Sequence, residues 1–158
     1  MVRTSQRYVP VALIAIAVLL TGARIASHLL KDEQTKTTNS LVKWVGIDEG
    51  LRRARATGKP VLIDFTAEWC QPCHVLDAEV FQNEQLANKI NERFVAVRVT
   101  DRQQEEGRNT PRVAELQGRF HVRGFPTVVI AGADLVELAR MEGFRGREHF
   151  EQVMERVP

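Results

Sequence analysis

Cysteine is scarce in this 158-residue chain, which contains only Cys70 and Cys73. A single pair cannot form the network of disulfides that stabilises many small secreted domains. A zinc site would need two further cysteines or histidines at close spacing, and the sequence contains no second close pair. We therefore predict neither a disulfide scaffold nor a metal site, and any sulfur chemistry must involve this one pair.

An excess of positive charge is also missing from most of the sequence. The formal charge of the whole chain is +2, and residues 1–30 contain three arginines and no acidic residue. Subtracting those three positive charges leaves −1 for residues 31–158. Because nucleic-acid-binding domains carry a clustered basic surface, we predict no nucleic-acid partner.

Long apolar segments are absent except near the N-terminus. Arg3 and Arg7 precede Val9 to Ala23, a run of fifteen residues without a charge. A basic start followed by an apolar core is typical of a segment that directs a protein to a membrane. The run is shorter than the ~20 residues that span a bilayer, but apolar residues continue to Leu30. An uncleaved signal anchor and a removed signal peptide both fit this pattern.

In either case we predict that the rest of the chain is exported. The predicted organisation is a signal anchor or signal peptide in residues 1–30, a polar linker in residues 31–40 and a folded domain in residues 41–158. Membrane contact is assigned to residues 9–30. The expected location is the cytoplasmic (inner) membrane, with the folded domain in the periplasm or otherwise outside the cytoplasm.

The folded domain alternates predicted helices and strands, which indicates an α/β fold with a sheet of mixed direction. Val61 to Ala67 is an apolar run that suits a strand buried on both faces. The other predicted elements are a helix from Ile47 capped by Asp48, a helix after Cys73, a helix from Asn83, a strand from Phe94 to Val99, a polar loop from Thr100 to Thr110, a helix from Pro111 capped by Thr110, strands Thr127–Ile130 and Leu135–Arg140, and a helix from Gly146 to Val157.

The spacing Cys70-Gln71-Pro72-Cys73-His74 fits two kinds of chemistry. Two cysteines separated by two residues form the redox pair of disulfide-exchange proteins, and a following histidine completes the attachment motif of c-type haem. A disulfide that closes so small a loop stabilises a fold little, so the spacing indicates chemistry rather than a structural cross-link. The haem alternative needs His74 as one iron ligand. The candidates for the second ligand are Met141, Met154, His121 and His149.

The position of the cysteine pair, directly after a predicted buried strand and at the start of a helix, favours redox chemistry. A helix N-terminus stabilises a thiolate, so we expect Cys70 to have a lowered pKa and to be the attacking sulfur. Cys73 lies one turn further in and is expected to attack the resulting mixed disulfide and release the partner. We expect Trp69 to cover the sulfur atoms on one side.

Two further residues near the pair are unusual for their surroundings. Asp64 places an acid inside the apolar strand before Cys70, where burial is costly without a partner. We expect its carboxylate to accept the proton of Cys73, with pairing to the backbone or to Lys59 as the alternative. Pro126 opens a strand after Gly124-Phe125, which suggests a special turn such as a cis peptide or, alternatively, an ordinary strand-start proline.

These motifs together resemble the thioredoxin family in order and approximate spacing. They are Asp64, Trp69-Cys70-Gln71-Pro72-Cys73 and Gly124-Phe125-Pro126-Thr127. The resemblance extends from Trp44 to about Val157. The segments TGKPVLIDFTAEWCQPC and MEGFRGREHF are most similar to the C-terminal periplasmic domain of DsbD-type disulfide reductases and to related membrane-tethered thioredoxins. The resemblance implies a thioredoxin-like fold, with a central mixed β-sheet flanked by helices.

The resemblance also implies an activity, that of a thiol-disulfide oxidoreductase acting as a protein-disulfide reductase. Cys70 would be the nucleophile and Cys73 the resolving thiol of a redox-active disulfide, and Asp64 would be the buried acid that assists proton transfer. No cofactor is implied. A thiol oxidant or isomerase and a non-catalytic binding domain remain alternatives.

Substrate binding is implied for four residues, namely Trp69, Phe125, Pro126 and Thr127. Pro126 would be the cis-proline packed against the disulfide, and Phe125 and Thr127 would offer backbone to an extended substrate segment. The implied partners are disulfide-containing exported proteins or apocytochrome c as substrates, and a membrane-embedded thiol relay as electron donor.

Three features depart from the family pattern. Gln71-Pro72 replaces the usual Gly-Pro between the cysteines. The lysine that often neighbours the buried acid falls at Val97, which leaves the tuning of Asp64 without an assigned partner. The polar loop from Thr100 to Thr110 is longer than usual and has no predicted role.

Overall fold

The computed structural model describes residues 40–158 of the chain. The predicted signal anchor or signal peptide and nearly all of the predicted linker lie outside these residues. Within residues 40–158, no helix has both the length and the apolar character needed to cross a membrane.

Helices and strands alternate along the described chain, as the sequence predicts. In chain order they are α1 (Ile47–Thr57), β1 (Val61–Ala67), α2 (Gln71–Leu76), a π-helical segment (Asp77–Phe81), α3 (Glu84–Arg93), β2 (Val95–Asp101), α4 (Gln103–Glu106), α5 (Pro111–Arg119), β3 (Thr127–Ala131), β4 (Glu137–Glu142) and α6 (Arg147–Glu155).

Within residues 40–158 the strands form one four-stranded sheet in the order β2-β1-β3-β4. Strand β1 is parallel to β2 and antiparallel to β3, and β3 is antiparallel to β4. Asp64 at the middle of β1 is opposite Arg98 on β2 and Val128 on β3. The predicted α/β fold with a mixed sheet flanked by helices is therefore confirmed.

The sheet separates two hydrophobic clusters because successive side chains of a strand point to opposite faces. Leu62 of β1 packs in one cluster with side chains of the π-helical segment, α3 and α6. Ile63 and Phe65 pack in the other cluster with side chains of α1 and α5. Strand β1 is thus buried on both faces, which explains why its sequence is apolar almost throughout.

Of the two predicted helix caps, Thr110 is present and Asp48 is not, and Asn83, where a helix is predicted to start, also caps its helix. Asn83 Oδ1 accepts a hydrogen bond from Leu86 N at the start of α3, and Thr110 Oγ1 accepts one from Val113 N at the start of α5. The prediction for Asp48 is wrong, because α1 begins after Gly46 without a side-chain cap. Asp48 lies in the first turn of α1, where a negative charge still interacts favourably with the helix dipole.

The segment from Thr100 to Thr110 is not the continuous loop that its polar composition predicts. Strand β2 extends to Asp101, and the short helix α4 follows. The Asp101 carboxylate is buried and accepts hydrogen bonds from Asn109 Nδ2 (2.5 Å), Gln117 Nε2 (2.9 Å) and the backbone N of Gln103 (3.0 Å). Burial opposes ionisation, but the bonds from Gln117, Asn109 and Gln103 outweigh it and lower the pKa of Asp101. The polar residues thus anchor this segment to β2 and α5.

The terminal hairpin is present but its second strand is shifted. Strand β4 begins at Glu137 rather than at Leu135. Leu135 has a left-handed φ of 63°, and its N–H donates to Gly132 O at 2.9 Å, so it belongs to the turn. The sequence pattern could not show this conformation, because leucine rarely adopts a positive φ.

Gly50 provides a test of how closely α1 packs against β2. A Cβ atom at Gly50 would lie 2.2 Å from Cγ2 of the buried Val97 side chain. We expect Gly50→Ala to lower the free energy of unfolding by about 1–3 kcal/mol, because overpacking a core forces neighbouring groups to move. Chemical denaturation monitored by circular dichroism would measure the change.

Gly118→Ala is the matched control, since Gly118 lies in α5 and a Cβ atom there would meet nothing within 4 Å. It should leave stability unchanged or raise it by up to about 1 kcal/mol through the higher helix propensity of alanine. A Gly50→Ala protein as stable as the wild type would contradict the packing described here.

Candidate active site

The two cysteines lie where β1 passes into the helical layer. Strand β1 ends at Ala67, and Cys70 forms the N-cap of α2. The sulfur atoms are joined in a disulfide, and Cys70 Sγ accepts a hydrogen bond from Cys73 N at 3.2 Å. Pro72 occupies the first turn of α2, where a missing N–H group is no loss.

Both cysteines are buried, with 2% of Cys70 and 3% of Cys73 exposed. Their exposure therefore does not distinguish an attacking from a resolving sulfur in the oxidised protein. The two sulfur atoms differ in their backbone contacts, since Cys70 Sγ caps the helix start and accepts a hydrogen bond from the N–H group of Cys73.

An aromatic pair borders the disulfide. Phe125 packs against both cysteines and Ala67. Trp69 meets Phe125 edge-on at a centroid distance of 5.9 Å, and 48% of Trp69 is exposed. Phe125 thus covers the cysteine pair and Trp69 contacts Phe125, while direct cover of the sulfur atoms by Trp69 stays a prediction.

The turn before β3 brings the second motif to the same place. The Phe125–Pro126 peptide bond is cis, which decides between the special turn and the ordinary strand-start proline in favour of the special turn. Thr127 opens β3 opposite Phe65, and its Oγ1 donates to Gly124 O at 2.8 Å. The cysteines and Phe125 therefore form one cluster, and Pro126 and Thr127 follow directly in the chain.

Asp64 lies deep in the sheet, with 2% of the residue exposed. Its Oδ2 accepts a hydrogen bond from Arg98 Nε at 2.9 Å, while Oδ1 bonds to no group within residues 40–158. Burial raises the pKa of Asp64 to about 6, against the opposing charge of Arg98 and with a further increase from Asp77. The predicted alternative partner Lys59 is instead directed to the carbonyl oxygen of Glu92.

Arg98 and Asp77 are the residues of this site that sequence reasoning missed. Val97, at the position expected for the family's lysine, is buried in the opposite cluster with Ile63. The next residue, Arg98, reaches Asp64 and also donates to Asp77 Oδ1 at 2.5 Å. One signal was present, since VAVRV carries a basic residue inside an apolar strand just as VLIDF carries an acidic one.

The residues proposed for haem or metal binding are not brought together. His74 is exposed, and its Nε2 lies 3.0 Å from Glu68 O. Met141 and Met154 are buried in the cluster around Leu62. In the part of the chain that the structure describes, no group of three or more histidine, cysteine, aspartate or glutamate residues is placed to hold a metal ion.

Comparisons with known proteins agree with the fold described above. The family profile described as a thioredoxin-like domain matches residues 47–158. The thiol:disulfide interchange protein DsbD of Vibrio cholerae serotype O1 is 30% identical over an alignment 149 residues long, which covers 89% of this chain and 24% of that protein. The chain therefore spans about a quarter of the length of this relative.

Two solved structures show the same fold. A thioredoxin from Thermus thermophilus is 30% identical with a TM-score of 0.61, covering 73% of this chain and 86% of its own. The oxidised C-terminal domain of Neisseria meningitidis DsbD has a TM-score of 0.54 at 24% identity, covering 73% of this chain and 99% of its own. At that identity the second likeness concerns the fold alone. From its fold, its cysteine pair and the matched profile, the chain belongs to the family of thioredoxin-like domains.

Proposed function

We propose that this chain is an extracytoplasmic thiol-disulfide oxidoreductase that reduces disulfides of exported proteins through Cys70 and Cys73. The observation that carries the proposal is the position of Cys70, whose sulfur caps a helix N-terminus and accepts the Cys73 N–H group. This environment stabilises a thiolate and so favours Cys70 as the nucleophile. Thiol:disulfide interchange, the activity for which the DsbD relative is named, supports the same reaction class.

In the first step, the Cys70 thiolate of the reduced protein attacks one sulfur of a substrate disulfide. The substrate S–S bond breaks, a mixed disulfide forms at Cys70, and the departing substrate sulfur takes up a proton. Cys73 remains a thiol during this step, because the helix-capping interaction favours charge on the other sulfur.

In the second step, the Cys73 thiol gives its proton to the Asp64 carboxylate and attacks Cys70 Sγ. The mixed disulfide breaks, the second substrate sulfur leaves as a thiolate and is protonated, and the Cys70–Cys73 disulfide forms. A pKa of about 6 leaves Asp64 ionised at neutral pH and therefore able to accept a proton. In total the protein pair gives two electrons to the substrate, whose sulfur atoms take up two protons. One proton is released by Cys73 to Asp64, and the other comes from the solvent, to which Cys70 lost its proton when it ionised.

Substrate binding is assigned to the surface next to the disulfide. Trp69 and Phe125 offer apolar contact, and the backbone of Phe125 and Thr127, on either side of the cis Pro126, would pair with an extended segment. Disulfide-containing exported proteins and apocytochrome c are the proposed substrates. A membrane-embedded thiol relay would return two electrons to the oxidised pair, and no organic cofactor is needed.

The proposed cellular arrangement follows from the sequence. Residues 1–30 would direct the chain to the cytoplasmic membrane, residues 31–40 would act as a tether, and residues 41–158 would work on the periplasmic side. The basic residues before the apolar run support this orientation.

The equilibrium redox potential of the cysteine pair tests the direction of electron flow. The purified full chain in mild detergent would be equilibrated with dithiothreitol and glutathione buffers, and the free thiols counted by alkylation and mass spectrometry. We expect a value of about −270 to −220 mV, the range of reducing thioredoxins and glutaredoxins. A value near about −120 mV would make the protein a thiol oxidant instead. Absence of a reversible dithiol would overturn the proposed function.

A further inference from the structure

We propose that Arg98 is the positioning residue that holds the Asp64 carboxylate ready to accept the proton of Cys73. The inference rests on the proposed function, since it concerns the second step of that reaction. It assigns a role to a residue that lies outside the cysteine and proline motifs and one position beyond the lysine expected for the family.

The sheet register brings Arg98 to Asp64. The two residues are directly opposite each other on the parallel strands β1 and β2, so their side chains share one face of the sheet. Arg98 Nε lies 2.9 Å from Asp64 Oδ2, and the side chains are 17% and 2% exposed, respectively. This is a largely desolvated ion pair, in which removal of one partner leaves a poorly compensated charge.

The π-helical segment holds the other end of the guanidinium group. Its first residue, Asp77, accepts a hydrogen bond from Arg98 Nη2 at 2.5 Å. Its last residue, Phe81, has its ring centroid 5.3 Å from Arg98 Cζ. The wide turn that brings both residues to Arg98 is marked by the bond from Gln82 N to Asp77 O at 2.9 Å. π-helical turns of this kind are frequent at functional sites.

Trp44 completes the environment of Arg98. Arg98 Cζ lies 4.2 Å from the Trp44 ring centroid, within the range of a cation–π interaction. Trp44 also meets Phe81 edge-on at a centroid distance of 4.9 Å. Two carboxylates and two aromatic rings therefore fix the orientation of one guanidinium group.

This fixed arrangement leaves a single oxygen of Asp64 available. Oδ2 is occupied by Arg98, whereas Oδ1 is buried and makes no hydrogen bond to any of residues 40–158. Asp64 shares its face of the sheet with Leu62, which lies in the same buried cluster as Leu76 of the helix that carries Cys73. The face of the sheet that carries Asp64 is therefore the face covered by the helix of the resolving cysteine.

The charged groups that face Asp64 are Arg98 from β2 and Asp77 from the π-helical segment, while the residue opposite it on β3 is the uncharged Val128. Burial and Asp77 favour the protonated carboxyl, and Arg98 favours the carboxylate. Without Arg98, burial and Asp77 would both raise the pKa of Asp64 with no opposing charge. A larger fraction of Asp64 would then keep its proton at neutral pH, and that fraction could not accept another proton from Cys73.

The test compares Arg98→Met with a matched control, Arg112→Met. Arg112 also bridges two carboxylates, those of Asp48 and Glu115, but on the protein surface. In the full chain in mild detergent, the rate of reduction of a model protein disulfide would be followed from pH 5 to 9. The ionisation of Asp64 would be followed separately in the reduced protein by carboxyl carbon NMR.

We expect Arg98→Met to move the midpoint of the rate profile and of the Asp64 titration to higher pH by about 1–2 pH units, which lowers the rate at pH 7 about two- to tenfold. Arg112→Met should change neither. Asp77→Asn should move both midpoints to lower pH. Adding Arg98→Met to Asp64→Asn should cause no further loss of rate, because Arg98 acts through Asp64.

Unchanged midpoints in Arg98→Met, or a further loss of rate in the Asp64→Asn background, would overturn the inference. If Arg98→Met does not fold, Asp77→Asn decides the question, since it keeps the charges of Arg98 and Asp64 and must move both midpoints to lower pH. Failure of the proposed function gives a different result, in which the wild type performs no disulfide exchange although the Asp64 titration still responds to these variants.

Discussion

We expect Cys70→Ser to abolish disulfide reduction, with a loss of rate on the order of a thousandfold or more, because the nucleophile of a covalent mechanism is removed. A serine hydroxyl is not ionised at neutral pH and cannot take part in thiol–disulfide exchange. The measurement is reduction of a protein disulfide by the full chain in mild detergent, with dithiothreitol as the electron source. The reduced wild type is the control for stability, since the variant also lacks the Cys70–Cys73 bond.

Cys73→Ser separates the two cysteines by their roles. Its Cys70 should still attack the substrate, but the mixed disulfide should persist because no second thiol resolves it. Intact-mass analysis should therefore find a covalent adduct with the substrate in Cys73→Ser and none in Cys70→Ser. An adduct formed by Cys70→Ser, or turnover by that variant, would show that the roles are assigned to the wrong sulfur atoms.

The second large effect concerns stability and arises from Asp64. Its pKa is about 6 in the folded protein, against about 3.9 in an unfolded chain, so between these values the folded state binds more protons. The contribution of Asp64 to the free energy of unfolding is then fully present below about pH 4 and is lost as the pH rises through about 6. The difference of about two pKa units corresponds to about 3 kcal/mol.

Asp64→Asn removes this dependence, because asparagine resembles the protonated acid and does not titrate. We expect the unfolding free energy of Asp64→Asn, relative to the oxidised wild type, to increase by about 3 kcal/mol between pH 4 and pH 7. The new amide can add a constant offset, but only the change with pH is measured. Arg98 retains Asp77 as a partner in this variant.

Urea denaturation at a series of pH values provides the measurement, and Asp48→Asn is the control. Asp48 is 58% exposed in its pair with Arg112, so its removal should change stability by less than about 1 kcal/mol at every pH. A stability difference for Asp64→Asn that stays constant with pH would contradict the raised pKa.

Much of the fold could be predicted because single segments carried strong local signals. The apolar run of β1 and the polar side chains of Asn83 and Thr110 each depend on residues close in sequence. The cysteine pair and the turn at Pro126 were predicted on the same basis, together with the family resemblance.

Other features depend on contacts between distant segments and could not be derived in this way. The pairing of Arg98 with Asp64 requires the register of two strands that are separated by three helical segments. The segment after β2 was read as a loop because its residues are polar, yet Asn109 and Gln117 satisfy the buried carboxylate of Asp101. A polar segment is exposed when its side chains form hydrogen bonds with water, and it can be ordered against the fold when they bond to other residues, as they do here.

The π-helical segment determines how far α2, which carries Cys73, is rotated about the helix axis relative to the residues that follow it. An α-helix advances about 100° for each residue, so removal of one residue from Asp77–Phe81 would rotate the preceding turn by about that angle. Asp77 and Phe81 could then no longer both face Arg98. The π-helical segment contains one residue more than an α-helical turn would. That residue provides the rotation that aligns the turn carrying Cys73 with the Asp64–Arg98 pair in the sheet.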